Sequence, residues 1–193
     1  MSRHKISEQT SLPELAALVS EALEKAGITA TLSGGAAVSI YSENRYLSED
    51  LDFVTAALVN ELKPALEPLG FRHKGRPRLS VFEHPACRWY LEFPPAPLSF
   101  GGTYTDPSEC ALLDVGPGKL RIITPTHSVM DRLIAAAAWH DRQSLEQAVL
   151  VAEHQRDNID WEKLFRWVER EGLIENKEII EFYKKTGKPL PPG

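Results

Sequence analysis

Hydrophobic residues recur at helical spacing near the start of the chain and again throughout its last third. The first helix is predicted to begin after Ser11, which forms a capping box with Glu14, and to end at Gly27. Later helices are predicted from Thr124-Pro125 to Ala138, from about Gln143 to His154, from Asp160 to Gly172, and from Glu178 to Lys185. The chain is therefore expected to end in a helical region.

The middle of the chain has alternating and β-branched runs that indicate strands. The predicted strands span 28–33, 50–55, 71–73, 79–84, 88–93, 110–115 and 120–123, with a helix at 59–69. Proline and glycine clusters at 94–97 and 100–102 predict loops, and 116–118 predicts a hairpin turn. Because strands give way to helices near Thr124, we expect a core over 1–123, a helical region over 124–188 and a tail over 189–193.

The composition indicates the general class of protein but not the reaction that it catalyses or the ligand that it binds. The 193 residues are 42% hydrophobic and 25% charged, which is ordinary for a globular protein. The net charge of -5 gives no overall attraction to nucleic acid or to an anionic membrane, so any polyanion would need a local basic patch. Cys87 and Cys110 lack metal-type spacing and are expected to be core residues of a reduced protein. We expect a soluble, cytoplasmic protein, because no apolar run is long enough to span a bilayer.

The candidate chemistry begins with a glycine pair that is followed by two aspartates. Gly34 and Gly35 lie between a predicted strand and a predicted helix, where the backbone and the helix N-terminus can approach phosphate groups, with Ser33 adding a hydroxyl. Asp50 and Asp52 alternate on the next strand, so their carboxylates share one face and can grip Mg²⁺. The alternative is a solvated acidic surface, because 27 acidic residues produce such triplets by chance.

This stretch resembles the polymerase-β-like nucleotidyltransferase superfamily, and within it the AbiEii/MenT-type toxin nucleotidyltransferases. The matching motif residues are Gly34, Gly35, Ala37, Arg45, Ser48, Asp50, Leu51, Asp52 and Phe53, with a slightly longer gap between Arg45 and Ser48. The resemblance implies an α+β fold with a mixed β-sheet core, followed by a C-terminal helical region. It also implies a nucleotide bound by Ser33, Gly34, Gly35, Arg45 and Ser48, with Mg²⁺ at Asp50 and Asp52.

The same resemblance implies an activity and a set of partners. The activity is transfer of a nucleotide from an NTP to an acceptor hydroxyl. For a toxin-like enzyme, the acceptor would be tRNA or a protein, and a cognate antitoxin protein would bind the chain. A small molecule such as an antibiotic is a further acceptor that the superfamily allows.

A third carboxylate is expected on a later strand, where relatives carry one. Glu92 is the best candidate, because alternation places Arg88, Tyr90 and Glu92 on one polar face of the predicted strand. Close to Asp52, it would act as the general base for the acceptor hydroxyl. Asp114, on a similar predicted strand, is the rival.

Relatives also carry a lysine early in the helix after the sheet, and an Arg-Asp pair in the next helix. This chain has Arg132 near the first position, where it would hold triphosphate oxygens. Asp141-Arg142 is the nearest equivalent of the second pair, in reversed order. The competing interpretation is that Asp131-Arg132 and Asp141-Arg142 are ion pairs on helix surfaces.

The only concentrated basic run is the predicted turn over residues 72–78. Arg72, Lys74, Arg76 and Arg78 are the candidate acceptor-binding residues, because a phosphate of RNA or of a nucleotide needs local positive charge. A solvated hairpin tip is the alternative.

Two hypotheses of different classes remain open at this point. The first is a Mg²⁺-dependent nucleotidyltransferase. The second is a protein of the same fold that binds or regulates without turnover, which the missing lysine favours. The two differ in whether Glu92 and Arg132 converge on Asp50 and Asp52, as catalysis requires.

Overall fold

The computed structural model describes residues 6–74, 80–116 and 118–190. Within these ranges the chain forms seven α-helices and nine β-strands. The helices are α1 Leu12–Lys25, α2 Gly34–Tyr41, α3 Val59–Leu66, α4 Pro125–Trp139, α5 Arg142–His154, α6 Trp161–Arg170 and α7 Lys177–Thr186. The strands are β1 Ala30–Ser33, β2 Asp50–Thr55, β3 Arg72–Lys74, β4 Val81–Glu83, β5 Tyr90–Glu92, β6 Ser99–Phe100, β7 Thr103–Tyr104, β8 Ala111–Val115 and β9 Gly118–Ile122.

Seven strands form one mixed sheet in the order β3-β4-β5-β2-β1-β9-β8. The central strand β2 is antiparallel to β1 and parallel to β5, and β1 is parallel to β9. Helices α4 to α7 follow the last strand and pack mainly against one another. The predicted α+β fold, with a mixed sheet followed by a C-terminal helical region, is confirmed.

The two faces of the central strands differ in polarity, as the alternation predicts. Leu51, Phe53 and Leu91 point into the core and are fully buried. Asp50 and Asp52 lie on the opposite face and remain partly exposed. The buried face fixes the register of these strands, because a slip of one residue would turn the carboxylates into the core.

Helix ends follow the capping signals in the sequence. The capping box of Ser11 and Glu14 is present at α1, and Thr124 and Asp160 cap α4 and α6. Helix α3 ends earlier than predicted, at Leu66, and continues as a single 3₁₀ turn. None of the helices in the described part of the chain is long and apolar enough to cross a membrane.

A short hairpin lies in the predicted loop region and is hydrogen-bonded to residues in and next to helix α6. Strands β6 and β7 lie in the segment where the sequence predicts only loop. The carboxylate of Glu171 accepts hydrogen bonds from the Gly102 N–H (2.8 Å) and the Thr103 hydroxyl (2.6 Å). The Trp167 indole N–H donates to the Phe100 carbonyl at 3.0 Å. Contacts distant in sequence therefore hold this hairpin, which explains why local patterns miss it.

The cysteines are less buried than the sequence suggests. Cys87 and Cys110 are free thiols of intermediate exposure that pack against the edge of the core. Burial raises the pKa of both thiols, so neither is an activated nucleophile.

Candidate active site

The junction of β1 and α2 forms one side of the candidate site. The helix begins directly at Gly34, two residues earlier than predicted, and Gly34 has φ +63°. Ser33 precedes the helix, but its side chain does not cap it; the hydroxyl instead makes a long hydrogen bond of 3.4 Å to the Asp52 carbonyl. The first N–H groups of a helix have no partner within the helix. This junction can therefore receive an anion such as a phosphate.

Both glycines are required by the side chains that face them. A Cβ on Gly34 would collide with the Asp52 carboxylate, and the positive φ already disfavours any other residue. A Cβ on Gly35 would lie 2.7 Å from the Ser48 hydroxyl oxygen. The glycine pair thus lets the helix start pack closely against the strand that carries the aspartates.

Three carboxylates converge on the polar face of the sheet. Asp52 on β2 is directly opposite Glu92 on the parallel strand β5, and Asp50 lies two residues before Asp52. Each of these residues offers a carboxylate oxygen that lies within 4.8 Å of those of the other two. Among the described residues, no other group of three or more potential ligands reaches this proximity.

Asp50 is oriented by a small buried network. The Ser48 hydroxyl donates to the Asp50 carboxylate at 2.9 Å. Ser48 itself is 6% exposed, and its N–H donates to the Ser39 hydroxyl at 2.9 Å. The Trp89 indole N–H donates to the Ser48 carbonyl at 3.0 Å. The structure therefore places Ser48 behind Asp50 as a support for that carboxylate.

The convergence of the three carboxylates changes the pKa of Asp52. Burial, and then the nearby carboxylates of Asp50, Glu92 and Asp131, raise its pKa to about 7, while Arg132 opposes the rise. Burial, and then the carboxylates of Asp50, Glu92, Glu49 and Asp52, raise the pKa of Tyr90. The site thus concentrates negative charge that a cation would stabilise.

Arg132 is held beside this cluster. Its guanidinium donates to the Asp131 carboxylate at 2.6 Å and to the Gln147 side-chain oxygen at 3.3 Å, and its side chain is 19% exposed. It is close enough to Asp52 to oppose the rise in that pKa. Glu92 therefore converges on the two aspartates, whereas the guanidinium of Arg132 is hydrogen-bonded to Asp131 and Gln147.

Two alternatives raised by the sequence lie elsewhere. Asp114 is exposed on the edge strand β8, separated from β2 by two intervening strands, so it is not the third carboxylate. Arg142 pairs with Glu146 and Glu181 on the surface, and Asp141 caps α5. Asp141 and Arg142 are therefore bound by other residues of the surface rather than by each other.

The remaining predicted basic residues that the structure describes are exposed. Arg45 lies in the turn between α2 and β2, and Arg72 lies on the edge strand β3. Lys74, also on β3, pairs with Glu83 at 3.5 Å. Arg76 and Arg78 lie outside the described residues. The strand register places Arg72 and Lys74 on the polar face that carries the carboxylates, near its edge.

Sequence reasoning missed the residues that support the site from neighbouring helices. Ser39 lies four residues after Gly35, so its helical spacing was a usable signal. The sequence drew attention to Asp131 only as the neighbour of Arg132. Gln147 gave no signal, because only the packing of α5 against α4 brings it to the guanidinium.

The donor set fits a magnesium ion. Mg²⁺ prefers hard oxygen ligands and is usually held by one or two carboxylates together with substrate phosphates. Asp50, Asp52 and Glu92 supply such oxygens, and their mutual repulsion is the kind that a dication relieves. The junction at Gly34 and Gly35 packs against the Asp52 carboxylate and the Ser48 hydroxyl, so phosphate groups bound there would lie beside the same ligands.

Comparisons with solved structures identify the fold. No protein-family model matches the chain, and no curated protein matches it significantly by sequence. An antigenic nucleotidyltransferase-like protein from Paracoccidioides brasiliensis matches with a TM-score of 0.60 and 11% identity, over 96% of each chain. The antibiotic-resistance factor ANT(2'')-Ia matches with a TM-score of 0.50 and 16% identity, over 82% of this chain and 91% of that one. The chain therefore has the nucleotidyltransferase fold.

Proposed function

We propose that the protein is a Mg²⁺-dependent nucleotidyltransferase that moves a nucleotide from an NTP to an acceptor hydroxyl. The observation that carries the proposal is the convergence of Asp50, Asp52 and Glu92 beside the helix start at Gly34 and Gly35. A metal site and a phosphate site share one small region there. Arg132, whose positive charge lowers the pKa of Asp52, would add a cationic group for the phosphates.

The three carboxylates have two tasks in this proposal. Asp50 and Asp52 would hold Mg²⁺, which when bound supplies charge stabilisation to the phosphates in transfer. Ser48 keeps Asp50 in the orientation that this requires. Glu92 would accept the proton of the acceptor hydroxyl while the hydroxyl oxygen attacks the α-phosphorus. The bond from that phosphorus to the bridging oxygen breaks, and pyrophosphate leaves.

The triphosphate would be held by groups on three elements. The N–H groups at the start of α2 would bind phosphate oxygens, and the Ser33 hydroxyl, which now donates to the Asp52 carbonyl, would join them. Arg132 would take the place of the lysine in relatives, and its planar guanidinium can bind two oxygens at once. Arg45 is a further phosphate ligand in the proposal, because its exposed side chain leaves the turn just before the aspartate strand.

The acceptor hydroxyl would belong to tRNA, to a protein or to a small molecule. The motif resemblance favours the first two and, with them, a toxin-like cytoplasmic role opposed by an antitoxin. The residues Arg72 and Lys74 would contact such an acceptor, since they lie on the polar face of the sheet near Glu92. The competing proposal, a binding or regulatory protein without turnover, is disfavoured by the placement of Glu92.

The test is label transfer from each α-³²P-labelled NTP in the presence of Mg²⁺ with total RNA or cell extract. We expect transfer to one class of acceptor, its loss in Asp52→Ala, and full activity in the matched variant Asp114→Ala. Absence of transfer to any acceptor, together with absence of NTP and Mg²⁺ binding by calorimetry, would rule the enzyme out.

A further inference from the structure

One hydroxyl group on the polar face of the sheet has no task in the proposed reaction. Tyr90 begins β5, two residues before Glu92, so both side chains leave the strand on the same face. The parallel register places Tyr90 directly beside Asp50, as it places Glu92 beside Asp52. The phenol is therefore a neighbour of the proposed metal ligands and of the proposed general base.

The side chain of Tyr90 is long enough to reach over the carboxylates. Neighbouring strands lie about 4.8 Å apart, a distance that a tyrosine side chain can span. After burial, the charges of Asp50 and Glu92 contribute most to the raised pKa of the phenol, so the phenol lies close to both carboxylates. A phosphorus atom bound beside Asp50 would therefore lie within reach of the phenol oxygen.

The Tyr90 hydroxyl is also free to react. It is partly exposed, and among the described residues it has no hydrogen-bond partner. Two serine hydroxyls beside the cluster, by contrast, already donate hydrogen bonds. Ser33 donates to the Asp52 carbonyl at 3.4 Å, and Ser48 donates to the Asp50 carboxylate at 2.9 Å. Tyr90 is therefore better placed than either serine to act as an acceptor.

We propose that the protein transfers a nucleotide to its own Tyr90. The inference rests on the proposed function, because it uses the same NTP and the same general base. The phenol oxygen would attack the α-phosphorus while Glu92 accepts the phenolic proton. The bond from the phenol oxygen to that phosphorus forms, the bond from the phosphorus to the oxygen that bridges to the β-phosphate breaks, and pyrophosphate leaves. The product is a phosphodiester that joins the nucleotide to Tyr90.

The first test is self-labelling without any added acceptor. The wild type is incubated with Mg²⁺ and each α-³²P-labelled NTP, and tandem mass spectrometry of a parallel unlabelled reaction locates the modified residue. We expect one nucleotide per chain, on Tyr90, in a bond that resists hydroxylamine. A nucleotide on another residue, a label that hydroxylamine removes as it would from a carboxylate, or an unmodified chain after incubation with all four NTPs would overturn the inference.

Two tyrosine variants separate this phenol from an exposed phenol elsewhere. Tyr90→Phe removes only the attacking oxygen and should abolish the label. The matched control is Tyr104→Phe, because Tyr104 is 71% exposed on the hairpin strand β7, outside the seven-stranded sheet, and this variant should be labelled like the wild type. Equal labelling of both variants, or equal loss in both, would contradict the assignment. Mass spectrometry of the wild type locates the nucleotide independently, so misfolding of a variant cannot hide the result.

The general base gives a further measurement on the same reaction. Glu92→Gln should slow self-labelling by about 10²-fold or more, because the phenol would lose the group that accepts its proton. An unchanged rate in Glu92→Gln would contradict the proposed step.

Transfer within one chain can be separated from transfer between chains. Asp52→Asn keeps Tyr90 but lacks a proposed metal ligand. This variant, enriched in ¹⁵N, is mixed with unenriched wild type, so that mass spectrometry distinguishes the two Tyr90 peptides. We expect modification of the wild-type peptide alone. Equal modification of both peptides would show transfer between molecules and would overturn the step within one chain.

The position of the phenol can be tested without turnover. Mn²⁺ accepts oxygen ligands as Mg²⁺ does, and it is paramagnetic. It is added with a non-hydrolysable NTP analogue to protein that carries ¹³C-labelled tyrosine rings, and the spectrum of Tyr90→Phe assigns the Tyr90 signal. We expect Mn²⁺ to broaden this signal strongly. A Tyr90 signal that Mn²⁺ leaves unchanged while the nucleotide is bound would overturn the inference.

Failure of the inference is distinguishable from failure of the proposed function. Calorimetry with Mg²⁺ and the NTP analogue measures the nucleotide site by itself. Nucleotide binding and transfer to another acceptor, with Tyr90 unmodified, would refute self-transfer alone. Absence of nucleotide binding together with absence of any transfer would refute the proposed function, and self-transfer with it.

Discussion

Two Asp-Arg dipeptides in the helical region have the same sequence and opposite environments. Asp131-Arg132 lies half-buried on α4, where it influences the pKa of Asp52. Asp141-Arg142 lies at the start of α5, where the aspartate caps the helix and Arg142 pairs with the surface residues Glu146 and Glu181. The two dipeptides contain the same residue types. The comparison therefore shows that packing determines which charged residues lie near the candidate site.

The largest expected difference is between two carboxylates of the sheet. Asp52→Asn should reduce nucleotide transfer by roughly 10³-fold, because it removes a metal ligand at the reacting phosphates. Asp114→Asn removes an equal charge from the exposed edge strand β8 and should leave transfer unchanged. Steady-state rates of pyrophosphate release measure both. Equal losses would show that net charge, rather than the site, controls the rate.

The two arginines provide the next test. Arg132→Ala should reduce transfer about 10²-fold, because a charge that stabilises the triphosphate is lost. Arg142→Ala should change transfer less than about twofold and the free energy of unfolding only slightly, since it removes exposed ion pairs. Rates and urea unfolding of both variants are the measurements. An Arg142→Ala variant as inactive as Arg132→Ala would contradict the distinction.

Two glycines with similar backbone conformations allow the effect of backbone strain to be distinguished from the effect of a close side-chain contact. Gly34 has φ +63° and faces the Asp52 carboxylate, whereas Gly27 has φ +73° and open space where a Cβ would lie, with no atom within 4 Å. Each change to alanine should cost about 1 kcal/mol of stability from the backbone alone. Only Gly34→Ala should also lower transfer, by about tenfold or more, because it displaces Asp52. Similar activity in both variants would argue against the close contact.

The smallest expected effect is on how the free energy of unfolding depends on pH. Because folding raises the pKa of Asp52 to about 7, the folded state binds the extra proton more tightly than the unfolded state. The resulting stability is fully present below about pH 4 and is lost as the pH rises to about 7. Without Mg²⁺, Asp52→Asn should therefore be more stable than the wild type at pH 8, by on the order of 1 to 3 kcal/mol. Urea unfolding at pH 5 and pH 8 tests this, with Asp114→Asn as the control; parallel pH curves for all three proteins would contradict it.

Local signals were sufficient for much of the fold and for the centre of the site. Helix starts at Ser11, Thr124 and Asp160 follow from capping, and the alternation of β2 placed its aspartates on the polar face. Glu92 rather than Asp114 lies beside Asp52 because of the strand order, which the pattern of a single strand does not reveal.

What the sequence missed depends on tertiary packing. The hairpin of β6 and β7 is held by Glu171 and Trp167, some 67 to 69 residues away in sequence. Gln147 reaches Arg132 only because α4 and α5 pack together.

The most direct test of the central claim needs no acceptor. Isothermal titration calorimetry with a non-hydrolysable NTP analogue would compare the wild type with Asp50→Asn and Asp52→Asn, each with and without Mg²⁺. The wild type should bind one equivalent of nucleotide only when Mg²⁺ is present, and both variants should lose that dependence. Mg²⁺-independent binding of equal strength in all three proteins would contradict a metal-assisted nucleotide site at these aspartates.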